Sequence, residues 1–306
     1  MLHLGRLRAL QEVADRGTIA AAARALHLTP SAVSQQISAL EREVGEQLIE
    51  PDGRGVRLTP VGRVLVRGAD DVFARVESLR AEIARHVTGD RADLRVGGFA
   101  TAIARIVAPA ARDLRRLAPG VRLQVVEDEG EPAFARLARH ELDVVVSMEA
   151  PGAPPEDDAR TARTALVADP LLAALPADHE LAGEARIPLA ALARGSWIGP
   201  PEGWLCERVF QAGCQNCGFT PRVVHRAGDW AAILALCAAG LGVALIPALA
   251  ELAEPEGAVL RPLEEPVPQR HIFAACRRGS ESAPAIAALV AAMRRAAIGA
   301  TPALSS

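Results

Sequence analysis

The stretch from Thr29 to Gly45, TPSAVSQQISALEREVG, constrains the fold most, because it defines both ends and both faces of one helix. Thr29 is a good N-cap, Pro30 follows at the first helical position, where a missing N–H costs nothing, and Gly45 can end the helix. Apolar residues at helical spacing predict its buried stripe: Val33, Ile37, Leu40 and Val44. The outward face then carries hydroxyl and amide side chains: Ser31, Ser34, Gln35 and Ser38.

Two shorter helices precede this one. Apolar residues at helical spacing predict the first, up to Gly17, and Thr18 is a predicted cap for the second, from Ile19 to Leu26. Two short helices joined by a tight turn form a helix-turn-helix, whose second helix lies in the DNA major groove. Hydroxyl and amide groups can hydrogen-bond to base edges and phosphates there. The alternative is a small helical bundle with a neutral surface.

Net charge does not mark this segment as basic, because residues 1–60 hold seven Arg and seven acidic residues. Attraction to DNA must therefore come from placement, with Glu41 and Glu43 turned away. The sequence LIEPDGRGVRLT predicts a hairpin wing with its turn at Asp52-Gly53. Four arginines are expected to face phosphate: Arg24, Arg42, Arg54 and Arg57. The predicted DNA contacts are Thr18, Thr29, Pro30, Ser31, Ser34, Gln35, Gln36, Ser38, Arg42, Arg54 and Arg57.

The pattern AAARALHLTPSAVSQQISALEREVGEQL, followed by an Arg and then LTPVG, resembles the N-terminal domain of LysR-type transcriptional regulators. Two departures from the family pattern stand out. Thr18-Ile19 replaces the usual Ser-Phe, and Pro51 stands where the family has an Arg that helps the wing hold DNA. Arg54 is the nearest substitute for that missing arginine.

A long helix is predicted from Pro60 to about Val87, after a second Thr-Pro start. Its apolar residues follow an a/d heptad pattern: Leu65, Ala69, Val72, Val76, Leu79 and Ile83. We interpret this stripe as a two-chain coiled coil, which gives two reading heads to a partly symmetric DNA site. The alternative is an amphipathic helix lying on its own domain. The sequence TGD at residues 88–90 is a predicted hinge, and LysR-type regulators have such a linker helix.

From Leu94 onward, strand and helix patterns alternate, which predicts an α/β unit with a mostly parallel sheet. The landmarks ELDVVV, GFTPRVV and AAGLGVALIP resemble the effector-binding domain of the same family, which is related in fold to periplasmic solute-binding proteins. The resemblance implies an α+β multidomain chain: a winged helix-turn-helix at 1–59, a linker helix at 60–89 and a two-subdomain effector-binding domain at 90–306. Subdomain I then covers about 91–162 and 268–297, and subdomain II about 163–267.

Candidate effector contacts lie where strands end and helices begin. The Thr101 hydroxyl and nearby N–H groups suit an anion, although Thr101 and Asp229 are also simply good N-caps. No inward-pointing Arg is obvious, and Arg105 is one helical turn past Thr101. The predicted effector contacts are Phe99, Ala100, Thr101, Ser147, Met148, Ile198, Gly199, Pro200, Asp229 and Trp230.

Composition argues against secreted, membrane-spanning and disulfide-rich classes of protein. The 306 residues are half apolar, the net charge is -3, and aromatic residues make up only 3%. The first ten residues do not have the pattern of a signal peptide, and no uninterrupted apolar run reaches membrane-spanning length. The five Cys, an odd number without a secretion signal, argue against a disulfide framework. We therefore expect a cytoplasmic protein that contacts no membrane.

The most conspicuous cysteines are Cys206, Cys214 and Cys217. A two-residue gap separates the last two, as in metal or redox pairs, but no second spaced pair completes a zinc site. Peroxide-sensing LysR-type proteins carry a Cys pair in about this region, with a slightly wider gap than Cys206 to Cys214. One helix holding both would keep them too far apart to bond without unwinding. Ordinary buried cysteine, thiol sensing and metal binding all remain open, and the first is favoured.

Motifs of common enzymes are missing from the sequence, including the phosphate loop, the dinucleotide fingerprint and the nucleophile elbow. The prediction is a non-enzymatic regulator with no cofactor and no metal. Its expected partners are double-stranded DNA, a small effector and a second copy, and the resemblance implies a dimer of dimers and allows contact with RNA polymerase. The alternatives are a thiol-switched regulator of the same type, or a solute-binding or enzymatic α/β protein with an incidental helical head.

Overall fold

The computed structural model describes residues 2–87, 92–151 and 153–300 of the chain. These residues form two compact units, Met1–Leu79 and Arg80–Ser306. The predicted hinge at residues 88–90 lies outside the described residues. Within the described part of the chain, no helix is long and apolar enough to cross a membrane.

The first unit contains the predicted winged helix-turn-helix. Helix α3 and the long helix α4 have the predicted bounds, and α2 ends one residue earlier than predicted. The elements are α1 (Leu4–Arg16), α2 (Ile19–Ala25), α3 (Pro30–Val44), β1 (Ile49–Asp52), β2 (Gly55–Leu58) and α4 (Pro60–Val87), of which only the first part belongs to this unit.

Local chemistry sets the ends of these helices. The Thr18 hydroxyl accepts a hydrogen bond from the Ala21 N–H at 3.1 Å, and the Thr29 hydroxyl accepts one from the Ala32 N–H at 3.2 Å. Such caps satisfy N–H groups that a helix start leaves free, and each stabilises the helix by about 1 kcal/mol. Gly45 ends α3 in the left-handed conformation, with φ of 81°. The caps predicted from sequence are therefore confirmed.

The apolar stripe of α3 packs into the core of this unit. Val33, Ile37 and Leu40 are buried against α1 and α2, and Val44 packs at the margin of the same cluster. Burying a side chain of this size contributes about 1.5–3 kcal/mol. Because the stripe is used in this way, the opposite face of α3 is the one that the fold leaves outside.

Helix α4 contributes its first turns to the same core. Ala69 is 2% exposed, and Leu65 packs beside it on the helical core. The Gln11 amide also donates to the Asp70 carboxylate at 2.6 Å, and Arg8 lies over the Phe73 ring at 5.6 Å from its centroid. The assignment of Ala69 to the predicted dimerisation stripe is therefore wrong, because Ala69 is buried in the core of its own domain.

The second unit is an α/β fold, as the strand and helix alternation predicted. Helix α5 is continuous, being formed by Ala100–Ala102, the π-helical turn Ile103–Val107 and Ala108–Leu117. Short 3-10 turns occur at Leu189–Leu192 and Ala248–Ala250. The other helices are α6 (Gly130–Ala138), α7 (Leu205–Asn216), α8 (Trp230–Ala238) and α9 (Pro284–Gly299). The strands are β3 (Ala92–Gly98), β4 (Val121–Glu127), β5 (Val144–Met148), β6 (Thr161–Pro176), β7 (Ser196–Gly199), β8 (Arg222–Arg226), β9 (Ala244–Pro247), β10 (Ala258–Arg261) and β11 (Gln269–Arg277).

The expectation of a mostly parallel sheet is wrong. In the order β10-β6-β11-β5-β3-β4, only β3 runs parallel to its neighbours, β4 and β5. Strand β7 is parallel to β8 in a separate two-stranded sheet, whereas β6 is antiparallel to β9, β10 and β11, and β11 is antiparallel to β5. The alternation of strand and helix does not determine strand direction, and the long strands β6 and β11 run antiparallel to their neighbours.

Strand β6 joins two lobes. Its residues up to Pro170 pair with β11, and its residues from Leu171 pair with β9 or β10. Lobe I is built around β3, β4, β5 and β11, and lobe II around β7, β8, β9 and β10; each has its own apolar core. The sequence placed the change of subdomain near residue 163, whereas the pairing partners of β6 change between Pro170 and Leu171.

Gly62 provides a test of the packing of α4 against the wing. A methyl group at Gly62 would overlap the carbonyl oxygen of Leu48, whereas a methyl group at Gly68 of the same helix would meet nothing within 4 Å. We expect Gly62→Ala to lower the free energy of unfolding by about 1–3 kcal/mol. Gly68→Ala should raise it by about 0.5–1 kcal/mol, because alanine favours the helix.

Urea denaturation followed by circular dichroism, at one fixed protein concentration, measures both effects. Equal free energies of unfolding for the two variants would contradict this account of the α4 packing.

Candidate DNA-binding surface and effector cleft

The outer face of α3 consists of short polar side chains. Ser31, Gln35 and Ser38 are exposed, and Ser34 and Gln36 are half-buried. The Thr29 and Ser31 hydroxyl oxygens lie 3.0 Å apart, so one donates to the other at the start of the helix. Hydroxyl and amide groups that are not needed by the core can hydrogen-bond to a ligand surface.

Three basic side chains of the same unit are exposed to solvent. Arg24, Arg42 and Arg54 are exposed, and the Arg42 side chain donates to the Ser38 carbonyl at 3.3 Å. The Glu41 carboxylate accepts from the Leu48 N–H at 3.0 Å, and Glu43 pairs with Arg6. These two acidic groups therefore have partners within their own domain.

The wing carries one basic group that is already neutralised. Arg57 lies opposite Glu50 in the β1–β2 pairing, and their side chains form an ion pair at 3.1 Å. Pro51 is exposed on the neighbouring position of β1. Arg54 at the turn is therefore better suited to phosphate than Arg57.

An apolar stripe stays exposed along α4. Val72 is 42% exposed, and Leu79 and Ile83 are each 52% exposed. Val61 and Val64 extend the exposed apolar residues toward the start of the helix. A single helix rarely leaves so many large apolar groups in water, so this stripe is suited to a partner helix.

A buried ion pair lies where the two lobes of the second unit meet. Asp169 and Arg270 are paired residues on β6 and β11, and both side chains are 1% exposed. The Arg270 Nε and Nη2 atoms donate to the Asp169 Oδ2 atom at 2.8 and 2.5 Å. Sequence reasoning missed this arginine; its signal was one Arg in the otherwise apolar face Arg270, Ile272, Ala274 and Cys276.

Each member of this ion pair has a further hydrogen bond, one to a residue of lobe I and one to a residue beside lobe II. In lobe I, the Arg270 Nη1 and Nη2 atoms each donate to the Thr101 hydroxyl at 3.2 Å, and the guanidinium lies 5.1 Å from the Phe99 ring centroid. On the side of lobe II, the Asp169 Oδ1 atom accepts from the Leu249 N–H at 2.8 Å. The pair thus connects the helix start predicted for the effector to the end of β9.

Arg105, the arginine noted beside Thr101 in the sequence, has other partners. Its side chain pairs with Glu251 at 2.6 Å and donates to the Ala250 carbonyl at 3.2 Å. Arg270 is therefore the arginine that the fold brings to Thr101.

The other predicted effector residues have mixed positions. Met148 belongs to the core of lobe I, Ile198 to the core of lobe II, and Trp230 packs against both cores. Asp229 is exposed, and its carboxylate caps α8 by accepting from the Ala232 N–H at 2.8 Å. Ser147 is fully buried and its hydroxyl has no hydrogen-bond partner among the described residues. Three further predicted residues are Ala100, which is exposed, and Gly199 and Pro200, which are buried.

Glu129 is a second charged group near Arg270 that sequence reasoning missed. It is half-buried at the start of α6, directly after Asp128, whose N–H donates to the Gly98 carbonyl at 3.1 Å. Burial raises the pKa of the Glu129 carboxyl, and the Leu205 N–H and the positive Arg270 oppose that rise. Within the described residues, Glu129 has no ion pair with a basic side chain.

The cysteines of α7 lie in different cores. Cys206 belongs to the core of lobe I and Cys214 to that of lobe II, while Cys217 is only half-buried. Burial raises the pKa of the Cys206 thiol to about 12, with the Glu129 carboxylate adding to the effect, and burial also raises that of Cys214 to about 12. Among the described residues, no group of three or more His, Cys, Asp or Glu side chains is arranged to hold a metal ion.

The Asp169–Arg270 pair gives a stability prediction. Asp169→Ala leaves a buried guanidinium without its partner, so we expect the free energy of unfolding to fall by about 3–5 kcal/mol. Chemical denaturation measures the change. The exposed Asp93–Arg122 pair of the same unit is the control, and Asp93→Ala should cost less than about 1 kcal/mol. Similar losses for the two variants would contradict a structural role for the buried pair.

Cysteine alkylation tests the burial of the α7 thiols. A thiol whose pKa is raised stays protonated, and therefore unreactive, at pH 8. We expect iodoacetamide at pH 8 to modify half-buried Cys217 well before Cys206 or Cys214. Peptide mass spectrometry over time measures the three rates in one sample. Modification of Cys206 as fast as Cys217 would contradict this interpretation.

Comparisons with known protein families match both units. Residues 4–63 match the family described as bacterial regulatory helix-turn-helix protein, lysR family, and residues 88–298 match the LysR substrate binding domain. Among curated proteins, the chain is 31% identical over 285 residues to the small neutral protease regulatory protein of Streptomyces coelicolor, which covers 90% of this chain and 83% of that protein. It is 31% identical over 242 residues to a probable hydrogen peroxide-inducible genes activator of Mycobacterium avium, covering 79% and 76% of the two chains.

Solved structures give the same result. Full-length OxyR from Pseudomonas aeruginosa is similar with a TM-score of 0.61 and 26% identity, covering 96% of this chain and 95% of that one. Full-length CbnR complexed with its target DNA is similar in fold, with a TM-score of 0.56 and 22% identity over 97% of this chain and all of that one. The two family matches and these relatives show that the chain belongs to the LysR family of transcriptional regulators, with a helix-turn-helix DNA-binding domain and an effector-binding domain.

Proposed function

We propose that α3 reads DNA sequence with Ser31, Ser34, Gln35 and Ser38, and that Arg42 and Arg54 hold the backbone. The observation that carries this proposal is the polar face of α3, which its own domain leaves uncovered beside exposed arginines. Glutamine can form two hydrogen bonds with adenine, and hydroxyl groups bond to bases or phosphates. Thr18, Thr29, Pro30, Gln36 and Arg57 complete the proposed contact surface, and Thr18 and Thr29 also cap their helices.

We propose further that two chains pair along α4 through Val72, Val76, Leu79 and Ile83. The exposure of Val72, Leu79 and Ile83 supports this, whereas Leu65 and Ala69 serve the domain core. Pairing presents two copies of α3 to two half-sites. The family relationship extends the proposal to a dimer of dimers and to contact with RNA polymerase.

The cleft between the lobes is the proposed effector site. Thr101 and Phe99 contact Arg270 there, and Arg270 is held by Asp169 at the strands that join the lobes. A ligand bound at this point would favour one angle between the lobes over another and so shift a population of conformations. Such a shift couples the effector to the spacing of the DNA-reading helices.

A thiol-switched regulator is the second candidate, because one relative is described as a hydrogen peroxide-inducible genes activator. Two features of this chain oppose it. Cys206 and Cys214 lie in separate cores on one intact helix, and burial raises the pKa of both thiols. A protonated, buried thiol is a poor nucleophile toward an oxidant.

The DNA proposal is tested by selecting binding sites from random duplexes with the full-length protein, then titrating the best site. We expect Gln35→Ala to weaken specific binding by about 1–3 kcal/mol, because alanine cannot hydrogen-bond to the base. The control is Gln215→Ala, which removes an equally exposed amide from α7 in the second unit. Fluorescence anisotropy measures both affinities.

A salt series on the same duplex separates base recognition from phosphate binding. A plot of log affinity against log salt has a negative slope, and Arg54→Ala should make that slope less steep by about 0.9 for each phosphate that the arginine neutralises. Gln35→Ala should leave that slope unchanged. If the unmodified protein has no affinity for any duplex at low salt, the proposed function is rejected.

A further inference from the structure

The two edges of the Arg270 guanidinium group differ in their hydrogen-bond acceptors: one edge faces a carboxylate and the other faces a single hydroxyl oxygen. Its Nε and Nη2 atoms donate to the Asp169 carboxylate at 2.8 and 2.5 Å, and both are short, charge-assisted hydrogen bonds. Its Nη1 and Nη2 atoms share the single Thr101 hydroxyl oxygen, at 3.2 Å from each. The second edge offers two parallel N–H groups, the geometry that a carboxylate fills with two oxygens. A neutral hydroxyl is a weak substitute at that edge.

Thr101 is the partner that a ligand would displace. Asp169 uses Oδ2 for Arg270 and Oδ1 for the Leu249 N–H, and its side chain is 1% exposed. Removing Asp169 from this network would break three short hydrogen bonds of a charged group, whereas displacing Thr101 breaks two long hydrogen bonds of a neutral one. The exchange at Thr101 is therefore much less costly.

The charges around Arg270 argue against a simple anion. Asp169 already neutralises Arg270, and the half-buried Glu129 adds an acidic group. Glu129 follows Asp128, whose N–H donates to the carbonyl of Gly98 at 3.1 Å, directly before the Phe99 that contacts Arg270. Asp128 pairs with Arg136 at 2.9 Å, but Glu129 has no ion pair with a basic side chain among the described residues. A bound carboxylate alone would add a third negative group to one positive group. A ligand ammonium beside Glu129 would restore the balance, since a partly buried charge needs a partner.

We propose that the effector is a small zwitterion with one carboxylate and one ammonium group, as in an α-amino acid. Its carboxylate takes the Nη1 and Nη2 edge of Arg270 in place of the Thr101 hydroxyl, and its ammonium group pairs with Glu129. The inference rests on the proposed function, because it assigns the ligand class of the same cleft. Since Arg270 is 1% exposed, entry of the ligand requires the lobes to separate first.

The test is isothermal titration calorimetry of the full-length protein with each of the twenty common L-amino acids. Each amino acid that binds is compared with its matched 2-oxo acid, which lacks the ammonium group, and its matched amine, which lacks the carboxylate; for alanine these are pyruvate and ethylamine. We expect at least one amino acid to bind, with its two matched compounds weaker by about tenfold or more, because each lacks one charge-assisted hydrogen bond.

Two variants assign the residues. Glu129→Gln should raise the Kd of the amino acid by about tenfold and leave that of the 2-oxo acid unchanged or lower, because only the ion pair with the ammonium group is removed. Glu131→Gln, an exposed acid in the first turn of α6, is the matched control and should leave both unchanged. Arg270→Lys keeps the positive charge beside Asp169 but has no planar edge, so amino-acid binding should be abolished while DNA binding is kept.

Three results would overturn the inference: no amino acid binds, a 2-oxo acid binds as tightly as its amino acid, or Glu129→Gln leaves the amino-acid Kd unchanged. These outcomes are distinct from failure of the proposed function. A ligand-free protein that binds no DNA rejects the regulator proposal, whereas a protein that binds DNA but no amino acid rejects only the zwitterion.

Discussion

Asp169 and Arg270 face each other on adjacent strands at the point where β6 leaves one lobe for the other, and both are withdrawn from water. Two opposite charges buried in this way are tolerated because each has several hydrogen bonds, to Thr101 on one side and to the Leu249 N–H on the other. The relative position of the lobes, the surroundings of Thr101 and the electrostatics felt by Glu129 and Cys206 all depend on this network.

In the small N-terminal unit, the polar face of α3 stays outside the core of its own domain. The large apolar residues of α3 all pack in the core, and the first turns of α4 add to the same core. Helix α4 consequently has two roles along its length. Ala69 and Leu65 complete the domain, whereas Leu79 and Ile83 stay exposed, which supports the proposed pairing of two chains.

Much of this could be predicted from sequence because the signals are local. Thr29, Pro30 and Gly45 determine the bounds of α3 by capping chemistry, and the strands of the second unit follow from short apolar runs. Strand direction was predicted wrongly, since alternation along the chain does not reveal how a strand such as β11 enters the sheet. Arg270 was missed for a similar reason: its partner Asp169 lies about a hundred residues away, and only the pairing of β6 with β11 brings them together.

Strand β6 runs without interruption for 16 residues through both lobes. Strands in proteins have a right-handed twist about their own axis, and the size of that twist varies. A change in the twist of β6 would turn one lobe relative to the other without breaking the strand. A rotation of this kind would change the angle between the lobes and leave the separate apolar core of each lobe intact.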